Sequence, residues 1–490
     1  MILVKLLVCA FLTYAASLLV PKRIRWTVLL VASVAFYAMS GIRAFLMLLL
    51  ISACSFAVGR AIERFPVGSR WRRQVLLAGC IFVLLWLFMI KCLALTGHKS
   101  RIIVVPLGAS YASFSILSYL IDVYWERDKA DRNFLKHLLY ILFFPKIAEG
   151  PINKHRTLAL SLYEGQDLTY RNFCFGCQRM LYGLFKKLVI AERLSLITAG
   201  ILSDMESYSG SMIALAMLFA AIELYCDFSG YMDIVLGFTE CLGMKMDENF
   251  RHPFFSRSAA EFWRRWHITL GVWFKDYVYL PLVMTGFVKK MGRWGRKHVG
   301  KEFGNNLMKA VSLAAVWLLT GLWHGTGVNY ILWGCMWGGI IIASTLLEKF
   351  YRNVTGFLHI NTEAPSWKLF QMLRTSAIFC FGHLLTRLPK LHDLGLAVSK
   401  IVRDFRVAQL FSNELFGFGV PAKDFMLLLL FLFGLLCVSI VQERRSVREL
   451  VAGMNAPVRW AIYAAGISVV VFFGLYGPGH SMKDFVYAQF

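Results

Sequence analysis

Phe425-Met426-Leu427-Leu428-Leu429-Leu430-Phe431-Leu432-Phe433-Gly434-Leu435-Leu436-Cys437-Val438-Ser439-Ile440-Val441 is a run of seventeen residues without a formal charge. A helix needs roughly 20 mainly apolar residues to cross the hydrocarbon of a bilayer, and this run with its flanks nearly reaches that length. Ten more apolar stretches are spread along the chain, at residues 2–20, 26–39, 44–58, 75–95, 109–124, 212–236, 307–323, 330–347, 369–385 and 460–475. Several are short for a span. Residues 135–144 and 176–190 are amphipathic, the second broken by Lys186 and Lys187, and read as short spans, tilted helices or interfacial helices. The expected fold class is all-α, a polytopic membrane protein.

The bulk composition agrees with the local reading. The 490 residues are 58% hydrophobic and 17% charged, against about 25% charged in a soluble domain. A water-soluble globular protein is excluded. The net charge of +24 invites nucleic acid as a partner. The Lys and Arg instead sit in short clusters between apolar stretches, at residues 22–25, 70–73, 289–301 and 444–448. That is how an inner-membrane protein marks its cytoplasmic loops and meets anionic head groups. No aromatic–basic groove accompanies the charge, so nucleic acid is not expected as a partner. The 11 cysteines are scattered without the spacing of a disulfide framework. The apolar amino terminus, with no small-residue cleavage site behind it, reads as a retained first span. No linker or internal repeat is visible, and residues 1–490 are expected to form a single membrane domain in a bacterial cytoplasmic membrane.

Ionisable groups within apolar stretches are costly, so each needs a partner or a task. Glu223, Asp227 and Asp233 interrupt residues 212–236, with Glu223 and Asp227 on one helix face. They either pair with an arginine of a neighbouring helix and hold the bundle together, or take part in chemistry. His324 lies in Leu322-Trp323-His324-Gly325-Thr326-Gly327, where the glycines break a helix and leave the imidazole at its end. Two roles are open to it: a general base that takes a proton from a hydroxyl, or a hydrogen bond to a nearby carbonyl. Residues 248–282 are aromatic and basic, with Trp263, Arg264, Arg265, Trp266 and His267 in immediate succession. Such a segment either lies at the head-group level or lines a polar interior. His267 and His324 are far apart in sequence and lack ligand-spaced neighbours, so no metal site is expected.

A series of motifs runs along the chain, beginning with Pro106-Leu107-Gly108, Leu117-Ser118-Tyr119-Leu120-Ile121-Asp122-Val123-Tyr124 and Phe144-Pro145-Lys146-Ile147-Ala148-Glu149-Gly150-Pro151-Ile152. Tyr225-Cys226-Asp227-Phe228-Ser229-Gly230-Tyr231, Glu248-Asn249-Phe250 and Glu261-Phe262-Trp263-Arg264-Arg265-Trp266-His267 follow. Asp276-Tyr277-Val278-Tyr279-Leu280-Pro281-Leu282 and Gly321-Leu322-Trp323-His324-Gly325 complete the series. Taken in order, these motifs resemble the membrane-bound O-acyltransferase family, and within it the branch that modifies bacterial polysaccharides.

The resemblance implies roughly 11–13 membrane helices around a central funnel or tunnel. It makes His324 the essential catalytic histidine and His267 the second catalytic histidine, which would orient donor or acceptor or stabilise the developing oxyanion; a structural hydrogen bond is the other reading of His267. It also implies an acyl thioester as donor, either acetyl-coenzyme A or a pantetheine carrier, with no permanently bound cofactor. The expected partners are membrane lipid, a cell-envelope polysaccharide and an extracytoplasmic acetyltransferase protein. Arg264 and Arg265 are candidates for donor phosphates, because guanidinium pairs with phosphate in two-point geometry; head-group contact is their other reading. Trp263, Trp266, Trp323 and Asp227 are further candidates for contact with substrate or donor. Residues 318–325, residues 225–231 and the ending at 484–490 look like the acetylation group of the family. Transfer of D-alanine to teichoic acid is the nearest alternative, and a polysaccharide or lipid transporter or a non-catalytic scaffold are alternatives of another class.

Overall fold

The computed structural model describes residues 2–96, 106–147, 149–325, 327–388 and 390–476. Ala148, Thr326 and residues 484–490, which carry parts of the motifs above, lie outside the described residues. The described chain is helical, with one isolated bridge between Phe250 and Trp266. Among the described residues, eight helices are long and apolar enough to cross a membrane: Ile2–Leu19, Ile42–Arg64, Arg70–Cys92, Gly210–Cys241, Lys301–His324, Val328–Leu346, Ala422–Gln442 and Ala456–Phe473. The remaining apolar stretches of the sequence are helices of a different character. Arg25–Ser40 and Ala109–Tyr124 have 16 residues each, and Pro365–Arg387 carries Lys368, Arg374 and Arg387 within its 23. The chain is an all-α, multi-pass membrane protein.

Two compact units make up the chain. The first takes residues 1–188, 227–248 and 448–490; the second takes 189–226 and 249–447.

In the first unit the Ala109–Tyr124 helix lies deepest, with fourteen of its sixteen residues buried. That burial explains its composition. A helix enclosed by protein on all sides needs no lipid-facing stripe, and two of its serines return their hydroxyls to their own helix, Ser113 to the Ala109 carbonyl at 2.8 Å and Ser118 to the Ser115 carbonyl at 3.0 Å. A second feature is the close approach of Tyr170–Leu184 to the distal half of Gly210–Cys241. A Cβ on Gly176 would lie 2.4 Å from the Gly237 carbonyl oxygen, and one on Gly183 would lie 2.5 Å from that of Gly230. Small residues at such a seam let helix backbones meet where lipid supplies no hydrophobic drive.

Along this seam runs a set of ion pairs. Lys187 Nζ meets Asp227 Oδ1 at 2.6 Å, Lys186 Nζ meets Asp233 Oδ2 at 2.6 Å, and Arg179 bridges Asp233 at 2.9 Å and Glu248 at 2.6 Å. Both lysines sit on the π turn Phe185–Ala191, whose wider backbone interrupts the helix where they occur. Each carboxylate of residues 227–248 named here has a cation within contact distance; Asp233 has the arginine expected from the sequence as well as a lysine, while the partner of Asp227 is a lysine.

The first unit also holds a buried polar knot. His155 Nδ1 lies 2.8 Å from Asp128 and its Nε2 2.8 Å from Asp131, while Asp131 also meets His137 at 3.1 Å and the Tyr163 hydroxyl at 3.2 Å. The knot ties the connection after Ala109–Tyr124 to the helices Phe134–Leu142 and His155–Glu164.

In the second unit, Lys301–His324 and Val328–Leu346 form a tight antiparallel hairpin. A Cβ on Gly334 would lie 2.5 Å from the Trp317 carbonyl oxygen, and one on Gly321 would lie 2.5 Å from that of Tyr330. The glycines bring the two backbones close, and the large side chains beside them interdigitate. In residues 248–282, for which the sequence leaves interface or interior open, the aromatic side chains are buried or half-buried while Arg251, Arg257, Arg264 and Lys275 are exposed. Phe262, Trp266, His267, Trp273, Phe274 and Tyr277 are all buried. The segment is broken into Ala259–Arg265, Ile268–Phe274 and the π turn Lys275–Tyr279, so no continuous helix lies along a surface.

Candidate active site

His324 is the last residue of the Lys301–His324 helix and is 8% exposed. Gly325 follows in an extended conformation and donates its N–H to the Gly321 carbonyl at 3.2 Å, ending the helix there. A Cβ at Gly325 would lie 2.3 Å from the Tyr330 ring, so any side chain there would have to displace that ring. The tightness of this turn folds Trp333 back onto the histidine. Their rings lie 4.9 Å apart between centroids and 77° apart in plane, an edge-to-face contact. Trp323 also meets the imidazole, at 4.7 Å between centroids.

His267 reaches the same neighbourhood from the broken segment. It has a left-handed backbone, with φ of 47°, between Ala259–Arg265 and Ile268–Phe274. Such a conformation in a residue with a Cβ costs energy and must be held by its surroundings. Asn249 holds it. The Asn249 carbonyl oxygen accepts the Ile268 N–H at 3.0 Å, and its side-chain Oδ1 accepts the Thr269 N–H at 3.1 Å and the Thr269 hydroxyl at 3.0 Å. The same Oδ1 lies 3.2 Å from His267 Nδ1. An oxygen that already accepts from a backbone N–H cannot be the amide nitrogen, so Nδ1 donates. In the neutral ring Nε2 is then an acceptor. The ring is held neutral: burial pushes its pKa well below the ordinary value, and the charge of a nearby His324 would push it further. His267 is 3% exposed and lies 6.3 Å from Trp323 between ring centroids.

Around the two histidines is an aromatic wall. Trp263 packs against Trp333 at 5.4 Å, Trp317 at 5.0 Å and Trp337 at 5.1 Å. Trp266 stacks on Phe262 at 5.6 Å and meets Phe379 at 4.7 Å. Of the residues singled out in the sequence, His324, His267, Trp323 and Trp263 are thus joined through direct ring contacts and Trp333, with Trp266 one layer behind. The others lie elsewhere. Arg265 is engaged by Glu443 at 2.6 Å and Glu261 at 3.0 Å, while Arg264 is exposed. Asp227 belongs to the first unit, in its ion pair with Lys187. Glu223 accepts from Thr198 at 2.6 Å and Arg387 at 3.3 Å.

Two members of the site carry no signal of their own in the sequence. Asn249 is an ordinary polar residue until the fold places it under His267. Trp333 is one of 14 tryptophans, and only the turn at Gly325 puts it on His324. The nearest clue is the position of Asn249 inside Glu248-Asn249-Phe250.

Residues 33–383 match the sequence model of MBOAT, the membrane-bound O-acyltransferase family. A probable alginate O-acetylase of Pseudomonas fluorescens is 29% identical over 76% of this chain and 69% of its own length. The peptidoglycan O-acetyltransferase of Helicobacter pylori is 29% identical over 66% of this chain and 64% of its own length. The teichoic acid D-alanyltransferase of Bacillus subtilis is 26% identical over 52% of this chain and 63% of its own length. With well over half of its length matching the family, including both histidines and the aromatic segment before His267, the chain is a multi-pass acyltransferase and belongs to the membrane-bound O-acyltransferase family.

Proposed function

We propose that the chain transfers an acetyl group from a cytoplasmic thioester towards a hydroxyl of an extracytoplasmic polysaccharide or of a partner acetyltransferase protein. The single observation that carries this reading is His324, buried at a glycine-broken helix end and packed against Trp323 and Trp333, with His267 beside Trp323. His324 takes the proton of the attacking hydroxyl as its oxygen bonds to the thioester carbonyl carbon. The carbon–sulfur bond breaks, and the proton passes on to the leaving thiolate. Oxygen is acylated, the thiol is released and no net proton is produced.

The geometry favours one role for His267 over another. A neutral ring whose Nδ1–H is given to Asn249 offers a lone pair at Nε2 and no second N–H. It can accept from an amide N–H of a pantetheine arm or from the acceptor hydroxyl, and so orient them. It cannot donate to a developing oxyanion. Arg265 is neutralised by two carboxylates, which leaves Arg264 as the better candidate for a donor phosphate.

Acetyl is preferred over D-alanyl because the O-acetylating relatives align over more of the chain, 76% and 66% against 52%. The bacterial cytoplasmic membrane is the compartment that fits this donor and acceptor. Family membership displaces the transporter and scaffold alternatives. A radiolabelled transfer assay in vesicles holding the purified protein tests the reading, with acetyl-coenzyme A and a D-alanyl-loaded carrier offered side by side. Label from the acetyl donor should reach a hydroxyl acceptor. Label arriving only from the D-alanyl carrier would replace acetylation by alanylation.

A further inference from the structure

The Gly286–His298 helix, Gly-Phe-Val-Lys-Lys-Met-Gly-Arg-Trp-Gly-Arg-Lys-His, has three distinct sides. Val288, Gly292 and Gly295 are buried. A Cβ on Gly292 would lie 2.3 Å from the Met308 sulfur, and one on Gly304 would lie 2.5 Å from the Gly292 carbonyl oxygen, so this side is pressed onto the start of the Lys301–His324 helix. A second side carries Phe287 and Trp294, seven residues apart and 68% and 55% exposed. The third carries Lys290, Arg293 and Lys297, spaced three and four apart and all exposed, with no acidic residue anywhere in the helix.

The two exposed sides together define what can cover them. A basic strip alone would suit an acidic protein as well as a lipid surface. Here an exposed indole and phenyl ring stand beside the strip, on a helix locked by glycines to one end of a candidate membrane span. Aromatic rings of this kind settle at the boundary between head groups and acyl chains, and lysine and arginine beside them extend to anionic head groups. We propose that Gly286–His298 is an interfacial anchor that binds anionic phospholipid, with Phe287 and Trp294 in the acyl boundary and Lys290, Arg293 and Lys297 on the head-group phosphates. The anchor fixes the first turn of the helix whose far end, at 24 residues and about 1.5 Å per residue, is His324.

The experiment uses the full-length protein in native membranes with Trp294→p-benzoylphenylalanine, photolysed and analysed by adduct mass. Lipid adducts should be enriched in phosphatidylglycerol and cardiolipin by about threefold or more over the bulk membrane. Combining Lys290→Gln, Arg293→Gln and Lys297→Gln should return that ratio to the bulk value while lipid adducts continue to form. The same probe at Phe287 gives an independent reading if position 294 lowers accumulation. Protein adducts in place of lipid would assign the surface to a protein partner and overturn the proposal. Adducts at the bulk lipid ratio, or an enrichment indifferent to the three substitutions, would do the same.

Discussion

At His324 the side chain is enclosed by indoles and the backbone is closed by Gly325, so its replacement should alter chemistry far more than folding. His324→Ala is expected to leave expression and membrane insertion near wild type and to lower transfer by about 10²–10⁴-fold, the usual share of a general base. His324→Gln keeps a hydrogen bond but cannot carry a proton away, and should be nearly as inactive. Retention of more than about a third of wild-type turnover by the glutamine variant would show that hydrogen bonding suffices. A residue of the opposite kind is His155, whose task is structural. Burial alone would lower its pKa, but hydrogen bonds and charge from Asp128 and Asp131 outweigh it and raise the value from 6.5 to about 9. Asp131 also resists the upward push of burial, because His137 and His155 hold its carboxyl well below the usual range. A folded-state pKa above the unfolded one stabilises the fold fully below pH 6.5, and the stabilisation is lost as pH rises through about 9. Thermal unfolding in detergent between pH 6.5 and 10 should therefore show a falling melting temperature, and His155→Gln should flatten that fall. The substitution should also cost about 3–5 kcal/mol near neutrality, the usual penalty for stripping one partner from a buried ion pair. An unchanged slope in the variant would remove His155 as its cause.

Between Lys301–His324 and Val328–Leu346, glycine acts by absence of volume. Gly334→Ala would place a methyl group 2.5 Å from the Trp317 carbonyl oxygen and 3.3 Å from the Gly321 Cα, against backbone that has no rotamer to yield. The helices must separate, which should destabilise by about 1–3 kcal/mol and loosen the contact of Trp333 with His324. At Gly339, on the same helix, a Cβ would meet nothing within 4 Å. Gly339→Ala should be neutral or stabilising by up to about 1 kcal/mol, from helix propensity alone. Melting temperature and transfer rate measured on the two variants in parallel check the argument. Equal effects would mean that the seam does not set the site. The same logic applies to Gly176, Gly183, Gly230 and Gly237 in the first unit, where paired charges line the seam. There the glycines set the distance at which Lys186 and Lys187 reach Asp233 and Asp227.

For the molecule as a whole, the decisive property is its orientation across the membrane. Five basic residues (Lys289, Lys290, Arg293, Arg296 and Lys297) precede the spanning helix that ends at His324 and a sixth, Lys301, begins it, with Glu302 the only acid nearby. The positive-inside bias puts this segment on the cytoplasmic side. In intact cells an Arg293→Cys variant should resist an impermeant thiol reagent and become reactive once the cells are opened, judged against the reactivity of the native cysteines. Efficient labelling of that position from outside would reverse the orientation. The bias acts through charge near the ends of spans, so the prediction depends on sequence alone.

Much of this protein is legible without a fold. Charge-free runs such as residues 425–441 have one physical solution, because an unpaired backbone cannot enter hydrocarbon and a helix pairs it internally. The order of motifs leading to Trp323-His324-Gly325 identifies the family. Other features depend on which residues meet across long sequence separations. Asn249 and His267 are 18 residues apart and on different local structures, and nothing in either residue announces the hydrogen bond that fixes the ring. Arg265 reads as free as Arg264 until the fold sets Glu443, 178 residues away, beside it. Asp227 reads as a group in the chemistry or as an ion-pair partner, and only the fold shows Lys187 beside it. A sequence states the cost of burying each charge, but only the tertiary structure shows the group that offsets it.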